Sequence, residues 1–250
     1  MSNWIARGLR RGILTTRYPH AADAMPPRYR GAAEIIAGAP VSSLAAGAEA
    51  CLSRAILTDG HGPQLLMSRC FQCGACTRVA PDAFVLSPRF DVAIVDGHVA
   101  DVRAQLAARV RRLGRSIMIR HVDAGSDASC EQEISALFNP FYDVNRLGLF
   151  LTATPRHADV LLVSGVVTHA MAEPLLRAFQ AMPNPRVVVA VGTAASSGSI
   201  FSGPDIAGPA ERIVPVDVAI PGAPPPPLSI IHGLWVALGK TEARYREYRT

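Results

Sequence analysis

"DVLLVSGVVTHAMAEPLLRAFQAMPNPRVVVAVG" spans residues 159–192, and its reading decides the fold. Two short, nearly all-apolar runs, "DVLLVSG" and "RVVVAVG", flank a helical stretch, "MAEPLLRAFQAM". Runs dense in Val and Leu, without polar alternation, suit strands covered on both faces, as in a parallel sheet. Outward from this unit, "SIMIRHV" and "LFLTA" read the same way. Strands alternating with helices predict a doubly wound α/β domain with a mainly parallel sheet over residues 116–250. Loops at the C-terminal ends of its strands would carry any site. "AIPGAPPPPLS" reads as a proline-stiffened loop before a last helix near residues 229–239.

Upstream, Val99, Val102, Leu106, Val110 and Leu113 recur at three- and four-residue steps. Asp101 stands in the first turn, Arg111 and Arg112 in the last, and Gly114 follows as a stop. The pattern predicts a linker helix within residues 98–115. Residues 31–97 form an Ala- and Gly-rich segment that holds four of the five cysteines. An odd cysteine count with no signal peptide in view points to a reducing compartment and to ligand or thiol roles. No apolar run reaches the ~18 residues that a membrane span needs.

The net charge of +5 is concentrated at one end. Residues 1–30 carry six arginines against a single acid, Asp23, so the rest of the chain is neutral overall. A basic arm on a neutral body suits an anionic surface, whether lipid headgroups or an acidic subunit. Nucleic acid fits poorly, because no aromatic-and-basic recognition motif accompanies the arm. Within it, "WIARGLRRGIL" sets Trp4, Ile5, Leu9, Ile13 and Leu14 among arginines, as in an amphipathic helix lying in a membrane interface.

The chemistry-bearing motif is "RCFQCGACTRVAP", residues 69–81. It begins as the iron–sulfur run C-x2-C-x2-C-x3-C-P, with Cys70, Cys73 and Cys76 in place, but Ala80 stands where the fourth cysteine belongs. The region resembles a two-cluster ferredoxin domain, in which each cluster draws three cysteines from one run and the fourth from the other. Cys51, in "ACLSRAI", is similar to the last cysteine of a first run. The resemblance then sorts eight positions into two sets. Val41, Leu44, Gly47 and Ala80 keep no ligand, whereas Cys51, Cys70, Cys73 and Cys76 are all present. It implies one retained 4Fe–4S cluster on Cys51, Cys70, Cys73 and Cys76 within an α+β ferredoxin-like domain. Four thiolates would also suit zinc, although C-x2-C-x2-C is crowded for one tetrahedral ion.

"RGILTTRYP" and "LSPRFDVAIVD" look like the ferredoxin-like subunit of complex I and of membrane-bound nickel–iron hydrogenases. From residue 116 the chain resembles the small, quinone-junction subunit (20 kDa-type) of complex I and of group 4 energy-converting hydrogenases. "HVDAGSDASCEQEISAL", "NPFYDVNRLG", "ATPRHADVLLVSG", "MAEPLLRAFQAMPNPRVVVAVG" and "PVDVAIPGAPPPP" carry this likeness in family order. It implies a flavodoxin-like sheet and a fusion of two subunits. The family's proximal cluster positions read Asp127, Cys130, Ala194 and Ala223 here, so the resemblance implies that this second cluster is lost. His157 and Asp159 match family positions and read as strand-end structure, as do Tyr142, Asp143 and Arg146.

The expected role is a non-catalytic electron-transfer subunit of a hydrogenase- or NADH:quinone oxidoreductase-like complex, peripheral on the cytoplasmic face of the inner membrane. Its expected partners are a large hydrogenase- or complex I-like subunit and membrane subunits. The competing expectation is a non-redox scaffold with a structural metal.

Overall fold

The computed structural model describes residues 3–21, 23, 25–58, 62–95, 104, 116–198 and 200–246. The expected linker helix at 98–115 therefore lies, apart from Ala104, outside the described residues. The first half carries α1 (Trp4–Arg11), β1 (Ala32–Ile35), α2 (Val41–Glu49), β2 (Ile56–Leu57), β3 (Gln64–Leu65), α3 (Ala75–Val79), β4 (Phe84–Ser87) and β5 (Ile94–Val95). The second half carries β6 (Ile117–Asp123), α4 (Ser129–Ala136), β7 (Leu149–Leu151), β8 (Val160–Ser164), β9 (Val167–Thr168) and α5 (His169–Ala181). It continues with β10 (Val187–Val191), α6 (Gly192–Ser197), β11 (Ile206–Gly208), β12 (Val218–Ile220), α7 (Pro227–Ala237) and β13 (Tyr245–Arg246).

The large sheet has the order β13-β5-β12-β10-β8-β6-β7. Its five strands from β12 to β7 pair in parallel, with Val187–Val191 alongside Val160–Ser164. This is the flavodoxin-type order 2-1-3-4-5, reversing at β6 and β8. Every residue of β8 and β10 is buried. The cause is the pleat: Val160 and Leu162 face the core shared with α4 and α7, while Leu161 and Val163 face the core under α5. The all-apolar runs at 159–165 and 186–192 are thus explained by cover on two sides.

Two strands go beyond what the sequence pattern predicts. β5 adds antiparallel to the edge strand β12, and β13 adds to β5. Through β5 the segment 31–97 therefore contributes to the large sheet. β12, read from sequence as part of a proline-stiffened loop, forms three buried residues before that loop begins.

The first half has its own core. β1 and β4 pair antiparallel, α2 and α3 pack together, and Ala33, Leu44, Met67, Ala80 and Phe84 are buried between them. The N-terminal arm closes over α7, every residue of which is buried. The Tyr18 hydroxyl lies 2.9 Å from His232 Nδ1, and Arg146 donates to the Thr16 carbonyl at 2.8 Å. Asp159 accepts the Met118 N–H at 3.0 Å, so these polar residues hold the fold. No helix among the described residues is long and apolar enough to cross a membrane.

Candidate functional site

Cys51 stands two residues past the end of α2, after the C-cap Ala50. The hairpin β2–β3 follows, pairing Ile56 with Leu65, and the Leu66 N–H returns to the Ala55 carbonyl at 2.7 Å. This turn-back brings the chain from Cys51 round to Cys70. Cys70 ends the 3-10 turn Met67–Arg69, and Cys76 lies in the first turn of α3. Between them the backbone twice takes a left-handed conformation, at Gln72 (φ 59°) and Gly74 (φ 71°). Glycine adopts that conformation without strain, which suits the tight wrap of the loop.

All four cysteines line one cavity of about 100 Å³, walled elsewhere by Ala33, Ala55, Ile56, Leu65 and Phe71. The thiols are free; Cys70 and Cys76 are buried, Cys51 is half-buried and Cys73 is exposed. The Ala55 N–H points at Cys51 Sγ (3.3 Å) and the Gln72 N–H at Cys70 Sγ (3.4 Å). Burial raises the Cys70 pKa to about 11, with further upward pressure from Cys76 and Cys51. Burial likewise raises Cys76, and Cys73 and Cys51 add to the effect. Buried thiols such as Cys70 and Cys76 need a positive group beside them to become thiolates.

Among the described residues, no three His, Cys, Asp or Glu side chains are gathered as a single metal ion requires. A tetrahedral zinc site would hold its sulfurs about 3.8 Å apart, given Zn–S bonds of about 2.3 Å. The four cysteines that line the cavity offer sulfur donors alone, a set that suits either zinc or a sulfur-ligated iron cluster.

A second cavity of about 340 Å³ lies at the ends of the parallel strands. Asp127, Cys130, Ala194 and Ala223 all line it, with Phe71, Thr193 and Phe201. The positions that the sequence resemblance grouped thus converge in space, although two alanines offer no donor atom. Cys130 is buried, and burial with Glu131 nearby pushes its thiol up to about 12. The Ser129 hydroxyl and N–H both bond Asp127 Oδ1 and hold its pKa down.

The two cavities share the Phe71 ring as a wall. The cysteine loop is also tied to α6: Thr193 Oγ1 lies 3.3 Å from the Cys70 carbonyl, and Ser196 Oγ donates to the Ser68 carbonyl at 3.0 Å. Phe71, Thr193 and Ser196 carry no motif, so nothing in the sequence singles them out.

The remaining set, Val41, Leu44, Gly47 and Ala80, has a different fate. Leu44 and Ala80 are buried in the first-half core, and Val41 is 82% exposed. A Cβ placed on Gly47 would stand 2.2 Å from Phe84 Cε2, so the ring occupies the space that a cysteine there would need.

Over residues 128–237 the chain matches the family described as NADH ubiquinone oxidoreductase, 20 Kd subunit. It is 40% identical over 153 residues to formate hydrogenlyase subunit 7 of Escherichia coli (strain K12), covering 60% of this chain but only 58% of that protein. It is 42% identical over 143 residues to a probable membrane-bound hydrogenase subunit, mbhJ, of Pyrococcus furiosus, covering 55% of this chain and 86% of that one. An NADH-quinone oxidoreductase subunit of Amoebophilus asiaticus is 38% identical over 119 residues, 47% of this chain and 74% of that protein. Cys51, Cys70, Cys73 and Cys76 all precede the family match, whereas Cys130 and both alanines of the second cavity lie inside it. With most of the length of two such relatives covered at about 40% identity, the chain belongs to the NADH ubiquinone oxidoreductase 20 Kd subunit family.

Proposed function

We propose that the chain is an iron–sulfur subunit of a membrane-associated oxidoreductase complex related to hydrogenases and complex I. In this reading a ferredoxin-like domain (31–97) is fused through a linker (98–115) to the small-subunit α/β domain (116–250). One 4Fe–4S cluster is held by Cys51, Cys70, Cys73 and Cys76, and no proximal cluster is held. The observation that carries it is the single cavity lined by four cysteines from two segments separated by a hairpin.

The cluster would supply one-electron redox chemistry when bound. The chain's own residues do the rest. The Ala55 and Gln72 N–H groups point at two sulfurs, and the Gln72 N–H opposes the upward pull of burial on Cys70. The apolar walls exclude water, and Phe71 separates the cysteines from the second cavity. The partners are a large hydrogenase- or complex I-like subunit and the complex's membrane subunits. The location is peripheral, on the cytoplasmic face of the inner membrane, with the basic arm (1–30) toward lipid. Relatives named as hydrogenase and NADH-quinone oxidoreductase subunits support membership of such a complex. The absence of donor atoms at Ala194 and Ala223 favours a second reading, a scaffold in which the metal site only braces the fold.

Anaerobic purification tests both the group and its ligands. The protein should be brown, with about four iron and four sulfide per chain. Cys51→Ser should lose most of that iron, whereas Cys130→Ser should keep it. Full iron retention in Cys51→Ser, or colourless protein carrying one zinc, would defeat the proposal.

A further inference from the structure

The four cysteines of the cavity do not meet solvent equally. Cys70 and Cys76 are buried and Cys51 is half-buried, so Cys73 gives the site its exposed corner. Two guanidinium groups converge on that corner from separate segments. Arg30 Nη1 donates to the Cys73 carbonyl at 2.6 Å, and Arg78 Nη1 donates to the same oxygen at 3.3 Å. Neither arginine has an ion pair among the described residues. Two positive charges thus stand together beside a cysteine.

Exposed arginines ordinarily lose much of their effect because a long side chain wanders. Here the backbone on each side of Arg30 is fixed. The Tyr29 hydroxyl bonds the Arg89 carbonyl at 3.2 Å, and a Cβ on Gly31 would stand 1.8 Å from the Ser87 carbonyl oxygen. Arg78 sits in the last turn of α3, where a basic residue ordinarily serves the helix C-terminus. Its Nη1 reaches the opposite end instead, to the cysteine loop ahead of α3. Bracing a carbonyl would need only a neutral donor, whereas this corner has two cations.

We propose that Arg30 and Arg78 form a charge clamp at this corner. They hold the Cys73 loop and raise the reduction potential of the group that the four cysteines bind. The proposal rests on the reading of that group as a 4Fe–4S cluster. Reduction adds one electron from a low-potential one-electron donor, which is itself oxidised; no bond and no proton need move. Negative charge added near two unpaired cations is stabilised, and net charge is one of the levers on cluster potential. Because Arg30 closes the basic arm, part of the arm's charge serves the cysteine site and not an outside surface.

The test is a dithionite titration of the anaerobically purified chain with mediator dyes, read by EPR, with iron per chain as the fold control. Arg30→Gln with Arg78→Gln removes both charges and keeps a donor at each place. The reduced-to-oxidised ratio at a fixed potential should fall about tenfold, which is ~59 mV for one electron. Each single variant should give part of that shift, and the pair of singles carries the measurement if the double variant loses iron. Arg30→Lys with Arg78→Lys keeps the charge and should stay near the wild-type potential. Arg177→Gln, on α5 and bonded to Glu173, is the control and should change nothing. Salt at about 1 M, where screening acts within about 3 Å, should shrink the gap between wild type and the Gln pair. Gln variants with full iron and the wild-type potential would overturn the clamp and leave the cluster standing. A Lys pair shifted as far as the Gln pair would overturn the charge argument. Wild-type protein with no reducible iron–sulfur signal would overturn the cluster assignment, and the clamp with it.

Discussion

Gly47→Ala should destabilise the protein, although the same change on an open helix face stabilises. Gly47 lies inside α2, where alanine gains about 1 kcal/mol of helix propensity over glycine. Against that gain stands the Phe84 ring. The new Cβ would sit 2.2 Å from Cε2 and 2.9 Å from Cδ2 and Cζ. Phe84 is 2% exposed and cannot swing into solvent. Overpacking of this kind costs about 1–3 kcal/mol, and a contact so short belongs at the upper end. The net loss is then about 2 kcal/mol, or roughly 4–8 °C in the melting temperature of a chain of this size. The assay is anaerobic thermal unfolding followed by circular dichroism. Gly8→Ala, whose Cβ would meet nothing within 4 Å, is the control and should not lower the midpoint. Adding Phe84→Leu should relieve the clash, giving a double variant about 1–2 kcal/mol more stable than the sum of the single changes predicts. A Gly47→Ala protein that melts at or above the wild-type temperature would show that the ring does not fill the space beside Gly47.

Two further outcomes follow from the N-terminal arm. His232 is held below its ordinary pKa of 6.5, chiefly by burial, with Asp91 opposing. The folded chain therefore gives up this proton more readily than the unfolded chain. Stability is present above pH ~6.5 and is lost as pH falls from there through the folded value, at up to about 1.4 kcal/mol per pH unit. Urea titrations between pH 7.5 and 5 should show this slope, with a contribution of the same sign from His121, whose pKa is also lowered by burial. His232→Gln should flatten it in part, and an unchanged slope would contradict the effect given to the burial of His232. In α1, Trp4 and Leu9 are 77% and 80% exposed beside Arg7, Arg10 and Arg11. The arm should carry the protein upward with anionic vesicles in a flotation gradient. Leu9→Ala should reduce partition about three- to tenfold, as expected if half of a leucine's burial energy of about 1.5–3 kcal/mol per side chain is lost. Equal recovery on neutral and anionic vesicles would refute an electrostatic contribution.

Much of the α/β half was legible because its residues answer to local rules. The runs at 159–165 and 186–192 are apolar on both alternating faces, which only a sheet covered on both sides accommodates. β5 and β13 are invisible to pattern reading because two-residue strands have no period to detect; their pairing is set by the edge of β12. β12 is masked because the prolines after Ile220 dominate its neighbourhood. At the candidate site, the cysteine spacing was readable from the chain. Phe71 as the wall common to two cavities was not, since an aromatic between two cysteines looks the same whichever way it turns.

The sequence alone determined which atoms are available for chemistry. Four thiols stand at Cys51, Cys70, Cys73 and Cys76, and Asp127, Ala194 and Ala223 offer no thiol. No folding changes that inventory, because it is covalent. Tertiary structure decided what surrounds each of these positions. A cavity lies open beside Ala194 and Ala223, whereas Phe84 closes the space beside Gly47, because whether space is filled depends on side chains brought together from distant parts of the chain, with shapes that no local pattern records.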